Sequence, residues 1–267
     1  VIATLDHRYA DALDFTERAT KAVLRVGERS AFARCTANLA DLRLRLGLVT
    51  EAEQALRFGA RGLKGALPGF QAAQFSITQA RVHLERGDTT LAQQAVLQGL
   101  SEVGASIASR KDPSRTDGPA RGPGREVVSQ AFRVAARIAL EDGDTARARV
   151  LVDNADQEGG GARAMADLAV IRAMLSRALG EPFVDVAHKA LEAAREADDI
   201  ELLRESHMLL HHAALSAVDI PTARHHLHAA LSYRDRVAAD LPEALRVSFL
   251  SRRDIAALDH AMTAFVT

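Results

Sequence analysis

The chain has 267 residues, 48% of them hydrophobic and 26% charged, with a formal net charge of −1. This suits a soluble globular protein of one large or two small domains, and it offers no global attraction to nucleic acid or to an anionic membrane. The single cysteine, Cys35, excludes an internal disulfide and a cysteine-based zinc site, and no apolar run approaches the ~18 residues of a membrane span. A reducing, cytoplasmic setting is the expectation. No basic-then-apolar leader opens the chain, which begins on Val1 in the approach to a helix and so reads as a piece of a longer protein.

Tryptophan is absent, Ala and Leu dominate, and strand formers are scattered rather than alternating. The composition predicts an all-α fold. In chain order, Phe32, Leu39, Leu42 and Leu46 mark a first clear helix, broken at Gly47. Thr50-Glu51-Ala52-Glu53 reads as a capping box. It opens a second helix through Ala52, Ala55, Leu56, Ala60 and Leu63, which stops at Pro68-Gly69. Residues 109–125, SRKDPSRTDGPARGPGR, are too rich in Pro, Gly and Arg for a helix and read as a flexible linker. Pro182, Pro221 and Pro242 are expected in first helical turns, where the missing N–H costs nothing.

Two phrases nearly repeat: RGDTTLAQQAVLQGL from Arg86 and DGDTARARVLVDNA from Asp142. Turns are expected at Gly47, Gly87, Gly143, Gly180 and Asp219, at intervals of 40, 56, 37 and 39 residues. Most of the excess in the second interval is the linker. An alanine lies seven residues before each of four turns, at Ala40, Ala80, Ala136 and Ala173. Another lies five after three of them, at Ala52, Ala92 and Ala148, and Gly59, Gly99 and Ala155 follow twelve after. In the fourth unit the small residues shift by two, to Ala187 and Ala194. Small side chains at these places let antiparallel helices approach closely.

This arrangement resembles the tetratricopeptide repeat, a helix–turn–helix unit of about 34 residues. The resemblance implies a right-handed α-α superhelix, a solenoid of about five helix pairs, with one helix before them and one or two after. Residues 1–108 and 126–240 then form two stretches of one solenoid around the 109–125 linker, and 241–267 caps it. The closing segment, LPEALRVSFLSRRDIAALDHA, resembles the end of tetratricopeptide regions in large bacterial signalling proteins, such as serine/threonine kinases and ATPase-type transcription regulators. That likeness implies a docking or regulatory module whose catalytic domain lies upstream.

In tetratricopeptide proteins helix A lines the concave wall. The family register carried onto this chain points inward with Arg34, Asp41 and Arg45 in the first unit and Gln74, Ile77 and Arg81 in the second. The third offers Gln130, Arg133 and Arg137, and the fourth Met174 and Arg177. Arginine recurs, and its planar fork suits carboxylates. A locally positive groove for an acidic peptide or chain terminus is therefore expected.

No catalytic constellation is visible. Neither a phosphate-binding loop, a Gly-x-Ser-x-Gly elbow nor a His-Glu-x-x-His motif occurs, and Cys35 lies mid-helix among apolar residues. The expectation is a non-enzymatic protein-interaction scaffold without cofactor, nucleic acid or membrane, with homo-oligomerisation through exposed end helices open. The alternative is a ligand- or metal-sensing regulatory domain that uses the solenoid hollow or the C-terminal histidines. His207 and His211 share a helix face, and His225 lies across the next turn, so zinc, nickel or a pH response could be served there.

Overall fold

The computed structural model describes residues 8–62, 69–104 and 123–266. Among them are thirteen helices and no strand, and no helix is long and apolar enough to cross a membrane. Helix α1 (Tyr9–Val26) precedes five antiparallel pairs. These are α2 (Arg29–Arg45) with α3 (Val49–Gly62), α4 (Gly69–Glu85) with α5 (Thr89–Glu102), and α6 (Pro123–Glu141) with α7 (Thr145–Glu158). Then come α8 (Ala162–Ala178) with α9 (Val184–Glu196), and α10 (Ile200–Ser216) with α11 (Ile220–Ala239). Helices α12 (Glu243–Leu250) and α13 (Arg253–Val266) close the chain.

Residues 109–122 of the expected linker lie outside the described residues. Its last three do not behave as linker: α6 begins at Pro123, so Pro123, Gly124 and Arg125 are helical and the second stretch starts before 126. Proline at a helix start loses no hydrogen bond, which is why the boundary was misplaced.

The turns follow the repeat register. Gly47, Gly87, Gly143 and Gly180 adopt the left-handed conformation at φ of 70° to 76°, a region glycine enters without penalty. The fifth turn sits at Val218 (φ 58°) rather than Asp219. Asp219 caps α11 by accepting from the Thr222 N–H at 3.1 Å, as Asp88 and Asp144 accept from Leu91 and Arg147 at 3.0 Å. Leu48 holds that place in the first unit, so Thr50 is already inside α3 and the expected capping box does not form. Glu53 pairs with Arg57 and Arg86 instead, at 2.6 and 2.5 Å. Pro221 stands in the first turn of α11, whereas Pro182 and Pro242 lie just ahead of their helices.

The small residues sit where helices cross. Ala40, Ala80, Ala136 and Ala173 are fully buried, as are Ala52, Ala92 and Ala148. The shift to Ala187 and Ala194 comes from a longer connection through Glu181, Pro182 and Phe183, and both alanines are fully buried. Counted from Val218, the fifth unit rejoins the pattern, with Ala223 and Ala230 buried five and twelve residues after the turn.

The first helices of successive pairs, α2, α4, α6, α8 and α10, touch one another along the stack, while among the described residues no second helix packs substantially on the second helix of the next unit. Closer spacing of the first layer makes it the inner side of the curve. One apolar cluster runs through the middle, from Ala73 and Ile77 through Phe132 and Leu151 to Ile171 and Leu175. Another joins the two ends of the chain: Tyr9, Leu42 and Leu46 share it with Leu227, Phe249, Ile255 and Leu258. Complete burial of each such side chain is worth about 1.5–3 kcal/mol, so the closing helices are firmly seated.

Candidate functional site

The inner wall is built from register positions. Six residues before each turn stand Asp41, Arg81, Arg137, Met174 and His212. Thirteen before each turn stand Arg34, Gln74, Gln130, Asp167 and Glu205. Seven residues are two helical turns, so each unit presents both positions on the same face. The chain stacks them unit on unit.

Of the expected inward arginines, Arg45, Arg81, Arg133 and Arg137 are engaged by carboxylates of the same chain. Arg45 pairs with Asp41 at 3.1 Å, and Arg81 pairs with the same carboxylate from the next unit. The Arg133 Nε lies 2.9 Å from Asp167 Oδ2, while the Arg137 Nη2 donates to Asp167 at 2.8 Å and to Glu205 at 2.9 Å. Burial would raise the Asp167 carboxyl, but the Arg137 and Arg133 guanidiniums hold it below the usual carboxylate range. Burial pulls Arg81 down to about 10, with Arg163 adding to the effect. Between 24% and 31% of the Asp41, Arg81, Arg137, Asp167 and Glu205 side chains remains solvent-accessible, so this is a wet wall and not a sealed core.

The positive groove expected for Arg45, Arg81, Arg133 and Arg137 is thereby corrected: carboxylates of the same chain neutralise these four. Arg34 and Arg177 are exposed and make no ion pair among the described residues. Gln74 and Gln130 are half-buried, and Ile77 is fully buried core rather than wall.

A second set of charges closes the wall. The Arg252 Nη1, between α12 and α13, donates to the Arg45 carbonyl at 2.7 Å and to Glu201 at 2.9 Å. Arg204 pairs with Asp254 and, at 3.2 Å, with Glu201. Arg253 reaches Glu141 at the end of α6, at 3.2 Å. Burial opposes ionisation of Glu201, yet Arg252 and Arg204 hold its carboxyl far below its ordinary value. Tyr9 from α1 lies in the same region, its hydroxyl pushed up to about 12 by burial and by Glu201. The Gly47 turn fits under the Ser248 carbonyl so closely that any side chain there would collide with it.

The histidines form a separate cluster of stacked rings. His207 Nδ1 and His226 Nδ1 face each other at 3.0 Å, so one donates and the other accepts. His211 occupies the place seven residues before the turn that alanine holds in the other units; it is 2% exposed, and its Nδ1 bonds the Ala223 carbonyl at 2.9 Å. The trio His207, His211 and His225 is not assembled as a ligand set, and no group of three or more His, Cys, Asp or Glu among the described residues is placed to hold a metal. A one-residue step turns a helix by about 100°, which is why His226 rather than His225 meets His207.

The sequence reading missed Asp167, Glu205, Glu201, Arg204, Arg252 and Asp254. Counting thirteen back from Gly180 and Val218 finds the first two. The rest depend on how α12 and α13 fold over the stack, which no local spacing encodes.

No family model matches the chain, and no curated protein matches its sequence. Among solved structures it is similar to the crystal structure of BtubC (BKLC) from P. vanneervenii, at 16% identity and a TM-score of 0.57. The match covers 88% of this chain and 94% of that one. At such identity the likeness speaks for a solenoid-like helical fold.

Proposed function

We propose that this chain is a non-enzymatic protein-interaction scaffold, a tetratricopeptide-like docking or regulatory module of a larger cytoplasmic bacterial signalling protein. One observation carries the reading: five successive inner helices bring Asp41, Arg81, Arg137, Asp167 and Glu205 onto one partly solvated wall. Ion pairs with this much solvent contact are each worth only about 0–1 kcal/mol. Exchanging one for a pair with a partner is therefore cheap. Because the arginines already hold carboxylates, the wall fits a protein segment carrying both signs of charge better than a purely acidic one.

The test is to pan a displayed peptide library on the whole chain and to counter-select on a variant with Arg81→Glu and Arg137→Glu. Enriched peptides of mixed charge that lose binding to the variant support the wall. Peptides that bind both proteins equally, or no enrichment at all, overturn it.

A further inference from the structure

Helices α9 and α11 are the second helices of neighbouring units, and they do not pack substantially on each other. Both pack on α10, which therefore floors a groove between them. Basic side chains of all three helices meet there. The His226 ring on α11 stands 5.2 Å from His207 on α10 and 6.4 Å from His188 on α9, centroid to centroid. His225 is a further neighbour at 5.2 Å. Arg195 lies two helical turns beyond His188 on the same face of α9 and acts on both His207 and His226. The central pair is buried but not sealed, with 9% of His226 and 5% of His207 still exposed, while His188, Arg195 and His225 are open to solvent.

No carboxylate balances this cluster. The groups acting on His207 are His226, Arg195 and His225, and those acting on His226 are His225, His188, His211 and Arg195. Glu192 comes closest on α9, but it stands about 40° further round the helix than His188, toward solvent, and Glu196 and Lys189 stand further still. On α11, Asp235 is taken by Arg234, and Arg224 lies over the Phe265 ring. Tyr233 completes the set, its ring 5.7 Å from His207. Arg195 makes no ion pair among the described residues. The inner wall follows the opposite habit: Arg133, Arg137, Arg204 and Arg252 are each met by a carboxylate of the chain.

The donors and acceptors narrow the class of ligand. A neutral imidazole carries one of each. His207 and His226 use one donor and one acceptor on their mutual bond, so the pair keeps one of each for a ligand. His188 and His225 add one of each, and Arg195 adds a fork of donors. Sulfate can only accept. A phosphate group offers bare and protonated oxygens together, and its second ionisation lies close to that of imidazole.

We propose that the groove between α9 and α11 is a phosphate site, in which Arg195, His188, His225 and His226 hold the anion and His207 supports His226 from behind. The phosphate supplies the negative charge that the chain leaves out, and imidazolium becomes favourable beside it. The site is independent of the inner wall. Free phosphate and a phosphate monoester share this chemistry, and the experiment separates them.

The test follows the histidine ring resonances of the whole chain by NMR at neutral pH and fixed ionic strength. Inorganic phosphate, O-phosphoserine and sulfate are titrated in turn. Saturable shifts of His188, His225 and His226 are expected with phosphate, and the same rings should titrate at higher pH in its presence. Arg195→Gln should raise the dissociation constant by roughly tenfold, as loss of one charged hydrogen bond does. Arg236→Gln removes an exposed charge about 15 Å along α11 from His226 and should change nothing. Both arginines are exposed, so the variants keep the fold, which an unchanged urea midpoint verifies. Tighter binding of inorganic phosphate supports a free anion as the ligand, and tighter binding of O-phosphoserine supports a phosphorylated one. The proposal is overturned by the absence of saturable shifts, by sulfate binding as tightly as phosphate, by ring titrations that do not move, or by equal effects of the two variants.

Discussion

His207 and His226 share one proton across 3.0 Å between their Nδ1 atoms, inside a fold where both rings are buried. The groups facing them are His188, His225, His211, Arg195 and Tyr233, with no carboxylate among them. Burial, then His226, brings His207 down from 6.5 to about 4, and burial with His225 lowers His226.

A histidine depressed on folding stabilises the native state above its unfolded pKa and loses that contribution as pH falls toward the folded value. The window here is pH 6.5 to about 4. Urea unfolding at pH 7.5 and 5.0 is expected to show about 2 kcal/mol less stability at the lower pH from His207 alone. Equal stability at both would contradict the buried neutral pair.

Among the described residues Arg137 is the one guanidinium that binds carboxylates from two other units, Asp167 and Glu205. Removing it in Arg137→Ala leaves Glu205 without that partner and Asp167 with Arg133 only. The expected loss is about 2 kcal/mol, discounted from the 3–5 kcal/mol of a sealed pair because the wall is wet. Arg137→Lys should not restore it, since a single ammonium lacks the fork that spans both carboxylates. Chemical denaturation of the two variants checks this.

Gly47 and Gly143 share the left-handed turn conformation, at φ 76° and 74°, but not their surroundings. A methyl group on Gly143 meets nothing within 4 Å, whereas one on Gly47 strikes the Ser248 carbonyl and carbon. Gly143→Ala should cost about 1 kcal/mol, the backbone penalty alone. Gly47→Ala should cost at least twice that and loosen α12. Melting curves of the pair separate conformational strain from collision.

Val218 takes the same turn conformation with a branched side chain and is 79% exposed. Val218→Gly removes the strain and gives up almost no burial. It should stabilise the chain by about 1 kcal/mol, read as a higher urea midpoint with an unchanged slope.

How much of this was legible is clearest at single positions. The alanines at 40, 80, 136 and 173 revealed the helix crossings because close approach admits few other residues. The fifth turn was placed one residue late because Val218 stands where the signal is glycine, and that slip hid both Glu205 and the meaning of His211. Local spacing pointed to Arg45, Arg81, Arg133 and Arg137 without revealing their charge balance, since Asp167 lies 30 residues from Arg137 and Glu205 lies 68. The bond from Arg252 to the Arg45 carbonyl spans 207 residues. No periodicity can register such a pairing; only the fold of the whole chain brings them together.

Stacked helix pairs ordinarily hold only their neighbours, so an end pair can peel away while the rest stays folded. Arg252 changes that, because its one guanidinium grips the last residue of α2 and the opening turn of α10 together. Neither the first nor the last helix pair can peel away without uncovering Phe249, Ile255 and Leu258, which pack with residues of both. On these contacts the array is expected to melt as one unit, as a compact domain does, with resistance to proteolysis set by the whole rather than by its end pairs.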